Sequence, residues 1–326
     1  MRKSLNSFIA RTCAALLAVA LLAACGGKKE QKAPGIAKIA CDESFESIME
    51  QEVNVYEYIY PKEDVIALYM PENAAIDSIM AMGSVKGAVV TRPLTEKELS
   101  YLRSHKKIVH QQKIAVDALA LIVNPANPVE ILSKKEIAEI LSGEVTRWDQ
   151  VEPCKLGEID VIFDHQGSST VKYMRDSILS GKPFGPNVSA VKSNPEVFKA
   201  VAANKNAVGI IGVSWVSSDL SGRQKSVEEL AQAVEKSDTT ALEFNSDVKV
   251  LKIRGNNEVT AYRPYQAYIF DGSYPLYRSV YMISTAPGGT VTHRFYSFVT
   301  GFQGQKLIQM TGILPATVRP RMVEVQ

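Results

Sequence analysis

Short apolar runs alternate with amphipathic helical patterns along most of this 326-residue chain. A chain so patterned buries both kinds of element by layering helices on a sheet. Residues 36–40 read as a strand, and residues 44–56 follow with Phe45, Ile48, Met49, Val53 and Tyr56 on one helical face. Strand-like runs recur at 64–69 and 87–90, with helical patterns at 73–82 and 95–103. This βαβαβ rhythm predicts a mostly parallel sheet covered by helices. Farther along, IAVDALALIVN (114–124) is a long strand-like run closed by Pro125 and Pro128. A helix is expected at 133–141, with Ser133 and Glu136 spaced as a capping box. Strands at 159–163, 207–212, 248–253 and 274–283 follow, with helices at 168–179, 197–203 and 227–235 and a long terminal helix at 293–310. No internal repeat is present.

The first 24 residues belong to a different class. Arg2, Lys3 and Arg11 precede an apolar run from 13 to 24, the pattern of a secretory signal. The run is shorter than the roughly 20 apolar residues that a spanning helix needs. It ends in Leu22-Ala23-Ala24-Cys25, which matches the bacterial lipobox. Residues 1–24 are therefore expected to be removed and Cys25 to carry a diacylglycerol; an ordinary cut after Ala24 that leaves a free thiol is the alternative. The polar stretch 25–35 reads as a tether between lipid and folded body. Localisation follows: exported, lipid-anchored to a bacterial membrane and facing the periplasm.

Processing changes the charge. The chain has 37 Lys and Arg against 35 Asp and Glu, and loss of Arg2, Lys3 and Arg11 leaves 34 against 35. No basic excess points to nucleic acid. About 300 residues remain, enough for two lobes. Of four cysteines, Cys41 and Cys154 stay in the body; export permits a disulfide, but two isolated thiols are preferred.

Three places combine a strand end, small hydroxyls and a helix start: Cys41-Asp42-Glu43-Ser44-Phe45, Thr91-Arg92-Pro93-Leu94, and Asp164-His165-Gln166-Gly167-Ser168-Ser169-Thr170. In a parallel α/β sheet, ligands bind at the carboxyl ends of strands. A helix N-terminus there offers unpaired N–H groups, and Ser and Thr hydroxyls add donors without bulk. Such turns suit a small oxyanion, with Arg92 able to grip it bidentately. Each also has a plainer reading, since Ser or Thr before a helix commonly serves as its N-cap and Arg92 can be a solvated loop charge.

These segments resemble the phosphate-type, PstS-like substrate-binding proteins of ABC transporters, in the form common among Bacteroidetes lipoproteins. The resembling stretches are DESFESIMEQEVNVYE, TRPLTEKEL, IAVDALALIVNPANP with LSKKEIAEILSGEVTRWDQV, FDHQGSSTVKYMRDSIL, AVGIIGVSWVS, YPLYRSVYMI and FVTGFQGQKLIQMTGILPA. The resemblance implies an α/β fold, a two-lobed type II periplasmic binding protein with two hinge-crossing strands. Carried over, lobe 1 comprises 36–115 plus 273–326 and lobe 2 comprises 116–272. It implies orthophosphate binding in the interlobe cleft through Ser44, Thr91, Arg92, Ser168, Ser169 and Thr170, delivery to ABC permease subunits, a monomer, no cofactor and no enzymatic activity. Two departures stand out: Asp164 and Gln166 occupy places where the best-known phosphate binders have arginine and aspartate, and Arg92 stands where they have an acceptor aspartate. Asp42, Glu43, Glu72 and Asp164 make an acidic set for an anion cleft.

Two other functions compete. His165 near Ser168 and Asp164 suggests a periplasmic hydrolase, although no G-x-S-x-G elbow and no clustered metal-ligand motif is present. Alternatively the same fold binds another ligand, or acts as a sensor or interaction lipoprotein.

Overall fold

The strands divide into two groups that share one long strand. In the computed structural model, which describes residues 35–216, 226–229, 232 and 244–317, the main sheet runs β2-β1-β3-β12-β4-β8-β6-β7. These strands are β1 (Gly35–Asp42), β2 (Glu63–Met70), β3 (Gly87–Val90), β4 (His110–Val123), β6 (Asp160–Phe163), β7 (Val188–Ala190), β8 (Ala207–Gly212) and β12 (Tyr277–Ser284). The expected signal peptide, Cys25 and most of the tether lie outside the described residues, as does most of the helix expected at 227–235.

β4 is the shared strand. From His110 to Ala118 it pairs antiparallel with β12, and from Leu119 to Val123 it pairs antiparallel with β8. Within each group pairing is parallel where helices cross over: β1 with β3, and β6 with both β7 and β8. The sheet is thus mixed rather than mostly parallel, because β4 and β12 run against their neighbours. A minor sheet joins β5 (Ile131–Ser133), β10 (Lys252–Arg254) and β11 (Ala261–Tyr262). Short strands β9 (Lys249–Val250) and β13 (Leu314–Pro315) pair with β4. Leu251 interrupts the single strand expected at 248–253.

The two-residue period of a strand explains how helices cover both faces. Ile39, Cys41 and Val89 enter one apolar cluster, whereas Ala40, Ala88 and Val90 enter another. The first cluster receives Phe45, Met49, Val55 and Tyr56 from the turn after β1 and from α1 (Glu46–Ile59). The second receives Ala75, Ile76 and Ile79 from α2 (Glu72–Met80), and Leu99 and Leu102 from α3 (Glu96–Ser104). Helix α4 (Lys134–Ser142) starts on the Ser133–Glu136 capping box and ends at Gly143, whose φ of 81° lies where a side chain is strained.

Three helices differ from expectation. The pattern at 44–56 begins with a 3-10 turn, Glu43–Phe45, before α1. The helix at 168–179 is a short α5 (Ser169–Tyr173) continued as a π-helix, Met174–Ile178. The terminal helix is two, α8 (Val291–Thr300) and α9 (Phe302–Met310), broken at Gly301. A Cβ on Gly301 would lie 2.7 Å from the Ser297 carbonyl oxygen, and one on Gly304 would lie 2.5 Å from Val299 Cα. Only glycine lets the chain turn so tightly, while apolar side chains before and after the break continue to face the core. Helices α6 (Asn194–Ala203) and α7 (Gln266–Phe270) complete the set used below. No helix among the described residues is long and apolar enough to cross a membrane.

Candidate functional site

The carboxyl ends of β1 and β6 meet beside the two long antiparallel strands. Asp42 closes β1 and caps the following turn, accepting the Ser44 backbone N–H at 2.9 Å. Ser44 is thereby fixed with its hydroxyl 3.1 Å from that of Ser169, 125 residues away in α5. Arg278 of β12 reaches the same point, and its Nη1 donates to Ser169 Oγ at 2.7 Å. Trp215, just after β8, donates its indole N–H to the Ser44 carbonyl at 3.0 Å. Segments from both strand groups thus converge on Ser44 and Ser169.

Arg278 is only 5% exposed, so its charge needs local compensation. Asp117, its cross-strand neighbour on β4, provides it: Nε donates to Asp117 Oδ2 at 3.0 Å, and Nη2 lies equally close but outside hydrogen-bonding geometry. The Phe45 ring lies beneath the guanidinium, 5.1 Å from Cζ. Gly212 leaves the room Asp117 occupies, since a Cβ there would sit 3.2 Å from its Oδ2. Burial raises the Asp117 carboxyl above its ordinary value, while the charge and hydrogen bond of Arg278 pull it back. Asp42 is likewise raised by burial and opposed by the charge of Arg278 and by Ser44.

Of the candidate residues, Ser44 and Ser169 are brought into direct contact. Ser168 and Thr170 flank Ser169 and are buried, but do different work. Ser168 Oγ accepts the Val171 backbone N–H and caps α5, as the plainer reading has it. Thr170 Oγ1 is buried without a hydrogen-bond partner.

Thr91 and Arg92 are turned to other partners. Thr91 donates its backbone N–H at 3.0 Å, and its hydroxyl, to buried Glu72. Glu72 also accepts from Lys172 Nζ at 3.1 Å, which ties α2 to α5. Burial alone would raise the Glu72 carboxyl; the Thr91 and Lys172 contacts bring it below its usual value. Arg92 forms a two-pronged pair with Glu98 at 2.8 and 2.9 Å and donates to the Pro93 carbonyl. Glu98 also receives the Thr95 backbone N–H in the capping box of α3, and with Arg92 beside it titrates at about 2. Arg92, placed in the ligand set by sequence, is thus paired with Glu98 at the start of α3, and the arginine in contact with Ser169 is Arg278.

The acidic set is largely buried: Asp42, Glu72 and Asp164 are each 1–2% exposed. Neither carboxylate oxygen of Asp164 has a hydrogen-bond partner, nor does Asp42 Oδ2. Glu43 lies 2.6 Å from His165 Nε2. That contact directs His165 to Glu43, while Ser168 Oγ is occupied by the Val171 N–H, so no Ser168–His165–Asp164 relay is formed. No group of three metal-ligand side chains occurs among the described residues, and Cys41 and Cys154 are both free.

Sequence reasoning passed over Asp117 and Arg278. The available signal was a lone charge inside each of two apolar strands, of opposite sign.

The chain itself matches a known family. Residues 28–302 match the PBP superfamily domain. The chain is a member of the PBP superfamily. The phosphate-binding protein PstS of Pseudomonas aeruginosa is 20% identical over 304 residues, covering 87% of this chain and 85% of that protein. Protein SphX of Synechococcus elongatus is 25% identical over 138 residues, which span 41% of this chain and 41% of SphX. Among solved structures, a phosphate ABC transporter substrate-binding protein of Clostridium perfringens, with bound phosphate, superposes with a TM-score of 0.67 at 19% identity, covering 86% of this chain and all of that one. An ABC-type phosphate transport receptor of Vibrio cholerae gives 0.61 at 22% identity, over 86% of this chain and 99% of that one. The fold is accordingly that of the type II periplasmic binding proteins, and the superfamily is one of binding proteins rather than enzymes.

Proposed function

We propose that this PBP superfamily protein is the solute-binding component of an ABC importer and binds orthophosphate between two lobes, 36–115 plus 273–326 and 116–272. The observation that carries the reading is the junction of Ser44, Ser169 and Arg278. It places two hydroxyls and one buried guanidinium on segments from both sides of the shared strand. A tetrahedral oxyanion entering this junction would replace the Ser44–Ser169 contact with a bond to each hydroxyl. Arg278 would supply charge-assisted bonds, and Thr170 Oγ1 a further donor. Closure about β4 and β12 would then follow the hinge mode common to ligand-binding domain pairs. The names of the PstS and Vibrio cholerae relatives support phosphate as the cargo.

Ser168 acts here as the cap of α5, and Thr91 acts through Glu72. Arg92 is assigned to the start of α3, so Arg278 takes the anion-gripping role. Export with a lipid on Cys25 would keep the body beside its membrane permease.

The test is calorimetric titration of the purified protein, freed of carried-over ligand, with phosphate and then sulfate. Micromolar phosphate binding, about −8 kcal/mol, is expected. No heat with phosphate in demonstrably folded protein would overturn the phosphate reading and favour a sensor or interaction role.

A further inference from the structure

We infer that Trp215 is the positioning residue for Ser44. Its indole N–H pins the Ser44 carbonyl away from the anion, and the bond forms only as the two lobes close, so closure sets the ligand-binding hydroxyl in place. The inference rests on the phosphate and two-lobe readings above and adds the residue that couples them.

All three polar groups of Ser44 are engaged. Its N–H donates to Asp42 Oδ1 at 2.9 Å, inside its own strand-end turn. Its hydroxyl lies 3.1 Å from Ser169 Oγ. Its carbonyl accepts from Trp215 Nε1 at 3.0 Å, across 171 residues of sequence. The first contact stays within 36–115, whereas the other two reach into 116–272. Trp215 ends the 3-10 turn Val213–Trp215 that leaves β8 at Gly212. The Val213 backbone N–H of the same turn acts on the Asp117 carboxylate. One turn therefore braces both Ser44 and the partner of Arg278.

The chemistry of an indole suits this task. A carbonyl oxygen turned toward an anion repels it, and left unpaired in a residue as buried as Ser44 it also carries a desolvation cost. An indole N–H is a donor only, so it satisfies that carbonyl without competing for the donors that the ligand needs. The Trp215 ring is half-buried, and phenylalanine would fill most of its space without the N–H. The chain has two tryptophans, and the other is a built-in control. Trp148 is 0% exposed, and its Nε1 donates to the Asn206 carbonyl at 2.9 Å, wholly within 116–272. Closure should change the surroundings of Trp215 alone.

The test is tryptophan emission and acrylamide quenching of the purified protein with and without phosphate, alongside calorimetry. In the parent, phosphate should shift the emission and shield one indole from acrylamide. In Trp215→Phe both changes should vanish although Trp148 still emits. The phosphate dissociation constant of that variant should rise about three- to tenfold, as expected for loss of one hydrogen bond. Thermal unfolding checks that the variant is folded; a merely structural tryptophan would lower the melting temperature and leave the affinity of the folded protein unchanged. An affinity within twofold of the parent's, or a phosphate-dependent emission change that survives in Trp215→Phe, would overturn the inference. So would a parent that binds phosphate by calorimetry with no change in emission or quenching, a result that needs no variant. A parent that gives no heat with phosphate would instead sink the phosphate reading on which the inference rests.

Discussion

Arg278 and Asp117 stand opposite each other on the two longest antiparallel partners of the sheet, and Arg278 Nε donates to Asp117 Oδ2 at 3.0 Å. Both are almost wholly buried, so neither tolerates loss of the other. Removing one partner of a buried pair costs about 3–5 kcal/mol, because it strands a charge, whereas replacing both by apolar groups can be close to neutral. Arg278→Met should therefore lower the denaturant midpoint strongly, and Arg278→Met with Asp117→Leu should recover much of it. Phosphate binding should be lost in both. Calorimetry on the stable double variant separates the two roles of Arg278; binding retained there would remove it from the ligand set.

Arg92 offers the contrasting case. Its pair with Glu98 is partly exposed, with 31% and 20% of the side chains accessible, so solvent screens it. Arg92→Ala should cost up to about 1 kcal/mol in chemical denaturation. Its phosphate affinity should stay within about twofold of the parent's, which is under 0.5 kcal/mol. A loss of tenfold or more in titration would return Arg92 to the ligand set.

Glu52 in α1 is fully buried, and neither of its carboxylate oxygens has a hydrogen-bond partner. Burial holds its carboxyl well above the ordinary value. The folded protein thus keeps a proton that the unfolded chain releases above about pH 4.3. Stability from this group is fully present below that pH and is lost as pH rises toward the folded value. Glu52→Gln should flatten this fall and raise the midpoint at neutral pH. Denaturation curves at pH 5 and pH 8 that differ as much in Glu52→Gln as in the parent would contradict the account.

Gly304 lies against the same carboxylate, where a Cβ would come 2.8 Å from Glu52 Oε2 as well as 2.5 Å from Val299 Cα. The second contact is backbone and cannot swing aside. Gly304→Ala should destabilise by about 1–3 kcal/mol through overpacking, despite the better helix propensity of alanine. A stability gain in thermal unfolding would contradict the tight α8–α9 turn.

Lys172 of α5 and Glu72 of α2 pair at 3.1 Å, and in the proposed reading the two helices lie on opposite lobes. Lys172→Ala should weaken phosphate affinity a few-fold, about 1 kcal/mol, by loosening closure rather than by touching the ligand. The effect should diminish as salt rises, since the lysine is 39% exposed. A salt-independent loss, measured between low and high ionic strength, would point to direct ligand contact instead.

Much of the fold is legible in the sequence because its signals are local. The capping boxes at Ser133 and Thr95 and the alternation of Ile39, Ala40 and Cys41 are set within a few residues. The Gly301 break is harder to read, because the apolar pattern runs on through it and only the close approach of backbone marks it. The mixed pairing is also hidden, since nothing within β4 says that its two halves serve different partners.

The site divides in the same way. Ser44 and Ser169 are readable as hydroxyls at strand ends, yet their contact depends on packing across 125 residues of sequence. Arg92 draws attention because it sits in a turn, where Glu98 captures it three residues beyond the cap-forming Thr95. Arg278 escapes notice because it lies inside an apolar strand, and its meaning comes from Asp117, 161 residues earlier.

The central claim is tested most directly by a crystal structure of the protein soaked or grown with phosphate. The account predicts one phosphate between Ser44 and Ser169, within hydrogen-bonding distance of Arg278 and Thr170, with Arg92 still paired to Glu98. Phosphate bound at Arg92 and away from Arg278, or a cleft that stays free of phosphate at saturating concentration, would contradict it.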